Sequence, residues 1–155
     1  MPLAQTPKSL GIDARLNAIR ALKQIGIYNP EVEIALLTVL KEEAEWLTAD
    51  AAAEALGEIG IASPASLTGL AETFTPVPIA AAGTRAAISF ALLSNRSLAK
   101  IVLWSKPKRD KVLQQCAAAS MKLRYNKNLF GDASQTTEPA LTQLESITKM
   151  LVALP

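Results

Sequence analysis

Histidine is absent from this 155-residue chain, and cysteine occurs once, at Cys116. Without histidine the chain cannot by itself run Ser-His-Asp or Cys-His catalysis or build a histidine-ligated metal site. A single cysteine rules out an intramolecular disulfide and points to a reducing compartment, so a cytoplasmic protein is expected. Aromatic residues make up only 5% of the chain, and the 7 glycines are scattered as stops and breaks, with none of the clustering of a phosphate-cradling loop. These absences lead us to expect no catalytic residue, no metal and no cofactor.

Long apolar runs are also missing. The nearest candidate, VPIAAAGTRAAISFALL at residues 77–93, carries Arg85 near its middle and is broken by Pro78, Gly83 and Thr84. A span needs about 20 apolar residues, and a central arginine costs about 2.5–3.5 kcal/mol even on the insertion scale. The segment therefore reads as an internal helix among other helices, and no membrane partner is expected. The opening MPLAQTPKSLG lacks the layout of a secretory signal and reads as a flexible tail over residues 1–11. The initiator Met1 and an amphipathic closing helix are expected to mark a complete product.

What the chain does contain is a repeated helical unit. In RLNAIRALKQIG (residues 15–26), Leu16, Ile19, Leu22 and Ile25 recur every third position, widened by Ala14, Ala18 and Ala21. Asp13 can cap this helix, and Gly26 can end it in a left-handed turn. Asn29-Pro30 then supplies a cap and a proline at the first helical position. The second helix carries Val32, Leu36, Val39 and Leu40 on one side, with Ile34 and Leu37 beside them, and ends near Glu43. Trp46-Leu47 is expected to fold back over the junction. Thr48 is expected to cap a third helix, ADAAAEALGEIG (residues 49–60), which Gly60 closes as Gly26 closes the first. Ser63-Pro64 repeats the start signal of Asn29-Pro30 at a spacing of 34 residues. Agreement of caps, glycines and core positions in one register is an internal repeat.

The third copy is looser. Aligning Ala91-Leu92 with Ala21-Leu22 sets Arg85 opposite Arg15, and a helix to about Leu93 is followed by a partner starting at Asn95 or Ser97 and reaching Trp104. Residues 108–125 are predicted helical, with Val112, Leu113, Cys116, Ala117, Ser120 and Leu123 on one face. Residues 126–137 read as a turn-rich loop. Thr137-Glu138-Pro139 opens a last helix bearing Leu141, Leu144, Ile147, Leu151 and Leu154. The expected fold is all-α: one domain over residues 12–155, with helix pairs at 13–43, 48–74 and 78–104 and a divergent cap at 107–154.

The spacing Arg15, Ala18, Ala21-Leu22, Ile25-Gly26, returning as Ala55-Leu56-Gly57 and Ile59-Gly60, resembles HEAT repeats of the short prokaryotic type also found in bilin-lyase-like proteins. The likeness is good over residues 13–74, loose over 78–104 and slight beyond. The second copy has Ala49 where the repeat usually has arginine. The resemblance implies a right-handed α-solenoid of about three helix pairs, whose second helices, at 30–43, 64–74 and 96–104, line a concave groove. It implies no chemistry, since that family spans adaptors, scaffolds, nucleic-acid enzymes and chromophore lyases.

Charge divides the chain. Residues 1–84 carry five bases against ten acids, net −5, and residues 85–155 carry eleven bases against four acids, net +7. Arg96 and Lys100 are expected one turn apart on the same face of the sixth helix. Lys106, Lys108, Arg109 and Lys111 gather at the start of the seventh, where free backbone N–H groups also favour an anion. One reading is a solvated rim that keeps an apolar protein soluble, and it weighs somewhat more than the other, a binding patch. Within the binding reading an acidic protein surface comes before nucleic acid, because the whole-chain charge is only +2 and no nucleic-acid motif is present. Trp104 and Tyr125 could then stack on bases, though packing anchors are the commoner role.

Glu42, Glu43 and Glu45 could meet that basic surface on another copy and build a homo-oligomer, or be an ordinary charged helix end, the favoured reading. Cys116 falls on the apolar face of its helix and reads as a small core hydrophobe more than as a reactive thiol beside Lys122 and Arg124. The expected function is a non-catalytic protein-interaction module or adaptor, with nucleic-acid binding through residues 96–127 as the alternative and a bilin-lyase-like role behind both.

Overall fold

A computed structural model describes residues 11–42, 46–60, 62–74, 82–130 and 137–155. Among the described residues there is no strand, and eight helices follow in order: α1 (Gly11–Ile25), α2 (Pro30–Glu42), α3 (Trp46–Ile59), α4 (Pro64–Phe74), α5 (Ala82–Arg96), α6 (Leu98–Ile101), α7 (Lys106–Phe130) and α8 (Thr137–Val152). Among the described residues the fold is all-helical. No helix among the described residues is long and apolar enough to cross a membrane.

The start and stop signals act locally as their chemistry requires. Asn29 Oδ1 accepts from the Val32 N–H at 2.8 Å, ahead of Pro30 at the first helical position. Ser63 and Ser66 cap α4 reciprocally: Ser66 N–H donates to Ser63 Oγ at 3.0 Å, and Ser63 N–H to Ser66 Oγ at 2.9 Å. Gly26 has φ 71°, the left-handed stop that glycine adopts without strain. Gly60 ends α3 differently. No other described glycine has positive φ; the Gly60 N–H donates to the Leu56 carbonyl at 2.9 Å, and a Cβ there would stand 2.4 Å from that oxygen.

Several expected boundaries shift. Trp46 and Thr48 lie inside α3, and Thr48 is fully buried instead of capping from outside. The expected partner helix reaching Trp104 shrinks to the four residues of α6. In its place α7 starts at Lys106 and runs to Phe130, five residues into the expected loop. The 1–10 tail, the Thr75–Pro78 connection, Glu43, Glu45 and residues 131–136 lie outside the described residues.

Packing is densest around α5, which touches α3, α4, α6, α7 and α8. Further close contacts join α1 to α3, α2 to α3, α2 to α4, α4 to α7 and α7 to α8. Phe74 on α4 and Phe90 on α5 meet edge to face, centroids 5.7 Å apart at 86°, the offset geometry that ring quadrupoles favour. The 34-residue spacing runs on through the core as Ala18, Ala52 and Ala86, and as Leu22, Leu56 and Phe90.

Equivalent positions are not equally buried. Ala21 on α1 is exposed, whereas Ala55 on α3 is fully buried, so the two do not share the setting that the repeat suggests. The physical reason is neighbours: α3 is packed by α1, α2 and α5, and α1 packs closely on α3. Ile25, expected in the stripe, is 61% exposed for the same reason. The core side of α7 is Val112, Cys116, Ala119 and Leu123, so Ala119 replaces the expected Ala117, which faces solvent.

Candidate functional site

Two openings lie side by side along α4. A groove of about 700 Å³ separates α2 from α4, lined by Leu37, Leu40, Lys41, Ala65, Gly69 and Thr73 among others. A second opening of about 250 Å³ separates α4 from α7, lined by Ala71, Lys111, Gln114, Gln115 and Ala118. Thr68 and Glu72 line both, so the openings form one continuous face over α2, α4 and α7. The third lining element is α7; the 96–104 segment expected there contributes no lining residue to either opening.

The face is apolar at its floor and polar at its rim. Gly69 exists where α2 and α4 come close, since a Cβ there would sit 2.5 Å from Leu37 Cδ2. In the crease between the openings, buried Gln115 donates from Nε2 to Thr68 Oγ1 at 3.2 Å, which ties α7 to α4. Three charges stand on the rim: Lys41, Glu72 and Lys111. None of them forms an ion pair among the described residues.

The sequence-predicted basic residues are dispersed. Arg96 ends α5 and Lys100 lies on α6, so they are not one turn apart on a single helix. Arg96 donates from Nη1 to the Glu58 carbonyl at 2.7 Å and from Nη2 to the Gly60 carbonyl at 2.6 Å, which caps the C-terminus of α3. Lys106 pairs with Asp110 at 2.9 Å. Arg109 donates from Nη2 to the Pro155 carbonyl at 2.9 Å. Lys100 and Lys108 are exposed, and of the six only Lys111 lines the α2–α4–α7 face.

Other cations of the basic half are also engaged. Arg85 reaches Asp50 and Glu54 on α3 at 3.7 and 3.8 Å, and Lys127 pairs with Glu138. Lys122 is fully buried, its stem against Gly83, and burial pushes its ammonium pKa down. Near α1 a small polar pocket of about 90 Å³ holds Arg20, Lys23, Asp50 and Glu54. Cys116 is buried and its thiol is pushed up to about 12 by desolvation, which removes thiolate chemistry near neutral pH.

Sequence reasoning missed Lys41, Glu72, Gln114 and Met121, and it considered Tyr125 only as a base-stacking ring or packing anchor. The signal was present in α7: residues 111, 114, 118, 121 and 125 alternate steps of three and four, but the apolar positions at 112, 116 and 123 dominated the reading. Among the described residues no group of three or more His, Cys, Asp or Glu is placed to hold a metal ion. No family model matches the chain, and no curated protein or solved structure matches it significantly.

Proposed function

We propose that this chain is a non-catalytic, cytoplasmic protein-interaction module, a HEAT-like α-solenoid that docks a partner on its α2–α4–α7 face. The carrying observation is the continuity of the two openings across Thr68 and Glu72, with an apolar floor and rim charges that form no ion pair among the described residues. Concave apolar surface edged by charge is what a protein partner can bury. The solenoid reading is supported by contacts between alternate helices, α1 with α3, α3 with α5 and α2 with α4, and by the contact of α4 with α7. A row of this kind leaves its second helices to line one surface. The centre of the proposed site moves from the 96–111 basic segment to this face, because Arg96, Lys106 and Arg109 already have partners within the chain.

Site-specific photo-crosslinking tests the reading. Benzoylphenylalanine replacing Gln114, on the face, should give protein adducts in extract of the source cells that excess unmodified protein competes away. The same group replacing exposed Asn17 on α1 should give none. Absence of a protein adduct at position 114, or capture of nucleic acid there with a steep salt dependence, overturns the proposal.

A further inference from the structure

The α7 side of this face has a pattern that identifies the shape of its partner. Lys111, Gln114, Ala118, Met121 and Tyr125 are spaced three, four, three and four residues apart. At about 100° per residue they fall within an arc of about 80°, and at about 1.5 Å per residue they extend over about 21 Å. This arc is separate from the core arc of Val112, Cys116, Ala119 and Leu123. Met121 is 62% exposed and Tyr125 is 39% exposed, so α7 carries a second seam whose apolar half faces solvent.

Alternating three- and four-residue steps are the spacing by which one helix receives another. Resting on the docking function proposed above, we propose that the occupant is a single amphipathic α-helix of about four turns, laid along α7 over the crease with α4. Its apolar side meets Ala118, Met121 and Tyr125, and its flanking carboxylates meet Lys41 and Lys111. Charge complementarity sets the sign. Among the described residues the rim holds two lysines without an ion pair against the one carboxylate of Glu72, so an acidic helix gains at both edges and a basic one at one point only. Methionine and tyrosine suit the contact, because one adapts its shape and the other offers a rigid apolar body with a polar tip.

A displayed library of fully randomised 16-residue peptides, selected against the intact chain, tests this directly. The expected winners carry apolar residues at helical spacing with Asp or Glu beside them, and gain helical circular dichroism on binding. Met121→Arg should weaken the best peptide by about tenfold or more, as should Lys41→Glu with Lys111→Glu, while Asn17→Arg leaves it unchanged. Replacing the peptide's carboxylates by lysine should restore affinity for the double Lys→Glu variant and for no other. Winners with extended or basic consensus that still lose affinity on Met121→Arg would overturn the helix and leave the docking face standing. Winners indifferent to every substitution on the face, or no winners at all, would overturn both. Self-association of the chain abolished by Met121→Arg would assign the seam to a second copy and overturn the acidic helix.

Discussion

Gly57 on α3 and Ser89 on α5 leave no space for a methyl group between them: a Cβ on Gly57 would stand 2.7 Å from Ser89 Cβ and 3.0 Å from its Cα. Helix propensity alone would favour Gly57→Ala by about 1 kcal/mol. Overpacking at a contact this tight costs about 1–3 kcal/mol, and the Ser89 backbone cannot swing aside as a long side chain can. Gly57→Ala is therefore expected to lower the urea midpoint, and Ser89→Gly in the same chain to recover part of the loss. A double-mutant cycle reading about 1 kcal/mol of coupling would establish the contact, and additive effects would remove it.

Arg96 joins the ends of two helices, since its guanidinium serves the carbonyls of Glu58 and Gly60 at the close of α3. Arg96→Ala is expected to cost about 1–2 kcal/mol of stability in chemical denaturation, and Arg96→Lys to restore only part, because an ammonium lacks the planar fork. Peptide affinity measured below the unfolding transition should not change with either variant. A loss of affinity with no loss of stability would return Arg96 to the binding surface.

The helices were legible because caps and apolar periodicity are local. Asn29, Ser63 and the paired prolines fix where α2 and α4 start, whatever packs on them later. What the sequence could not reveal depends on neighbours. Ala21 and Ala55 hold the same repeat position, each followed by leucine and later by Ile-Gly, yet only the second is buried. The basic segment reads in sequence as a solvated rim or a binding patch for the same reason: nothing local says that Arg96 will cap α3 or that Lys122 will be enclosed. The α2–α4–α7 face is assembled from residues 37–73 and 111–118, and its rim charges are far apart in the chain. Only the three-four steps of α7 were open to inspection, and they were masked by the stronger core pattern on the same helix.

The ion pairs between α1, α3 and α5 predict a signed response to pH. The hydrogen bond from Lys23 holds Glu54 below its ordinary value of 4.5, helped by nearby Arg85 and Arg20 and opposed by burial. A lowered carboxylate contributes stability above its unfolded pKa and loses it as pH falls through its folded pKa. Lys23→Gln should therefore cost up to about 1 kcal/mol at pH 7, a difference that shrinks as the medium is acidified below about pH 4.5. Asp50 has the opposite sign: desolvation, reinforced by Glu54 and offset by Arg85, raises it above 3.8. Its contribution is fully present below the unfolded pKa and is lost as pH rises through the folded value. Asp50→Asn should accordingly gain on the wild type as pH rises from 3 to 7. Parallel pH profiles for the two variants would contradict this division.

Cys116 offers a probe of global opening because its thiol is both enclosed and hard to ionise. It is 1% exposed on the core side of α7, and desolvation outweighs the side-chain contact with Thr148 in lifting its pKa from 9.0 to about 12. A thiol raised this far stays protonated at pH 8, which suppresses the reactive thiolate before any steric shielding is counted. Labelling of the native chain by a thiolate-selective disulfide reagent should therefore be slow. It should accelerate with urea in parallel with the loss of helical circular dichroism, since α7 lies against α4, α5 and α8 and exposes this side only when that packing opens. Fast labelling at full helicity would mean that α7 detaches from the core on its own. The Met121–Tyr125 seam would then belong to a mobile helix, and the docking face across α4 and α7 would not be preformed.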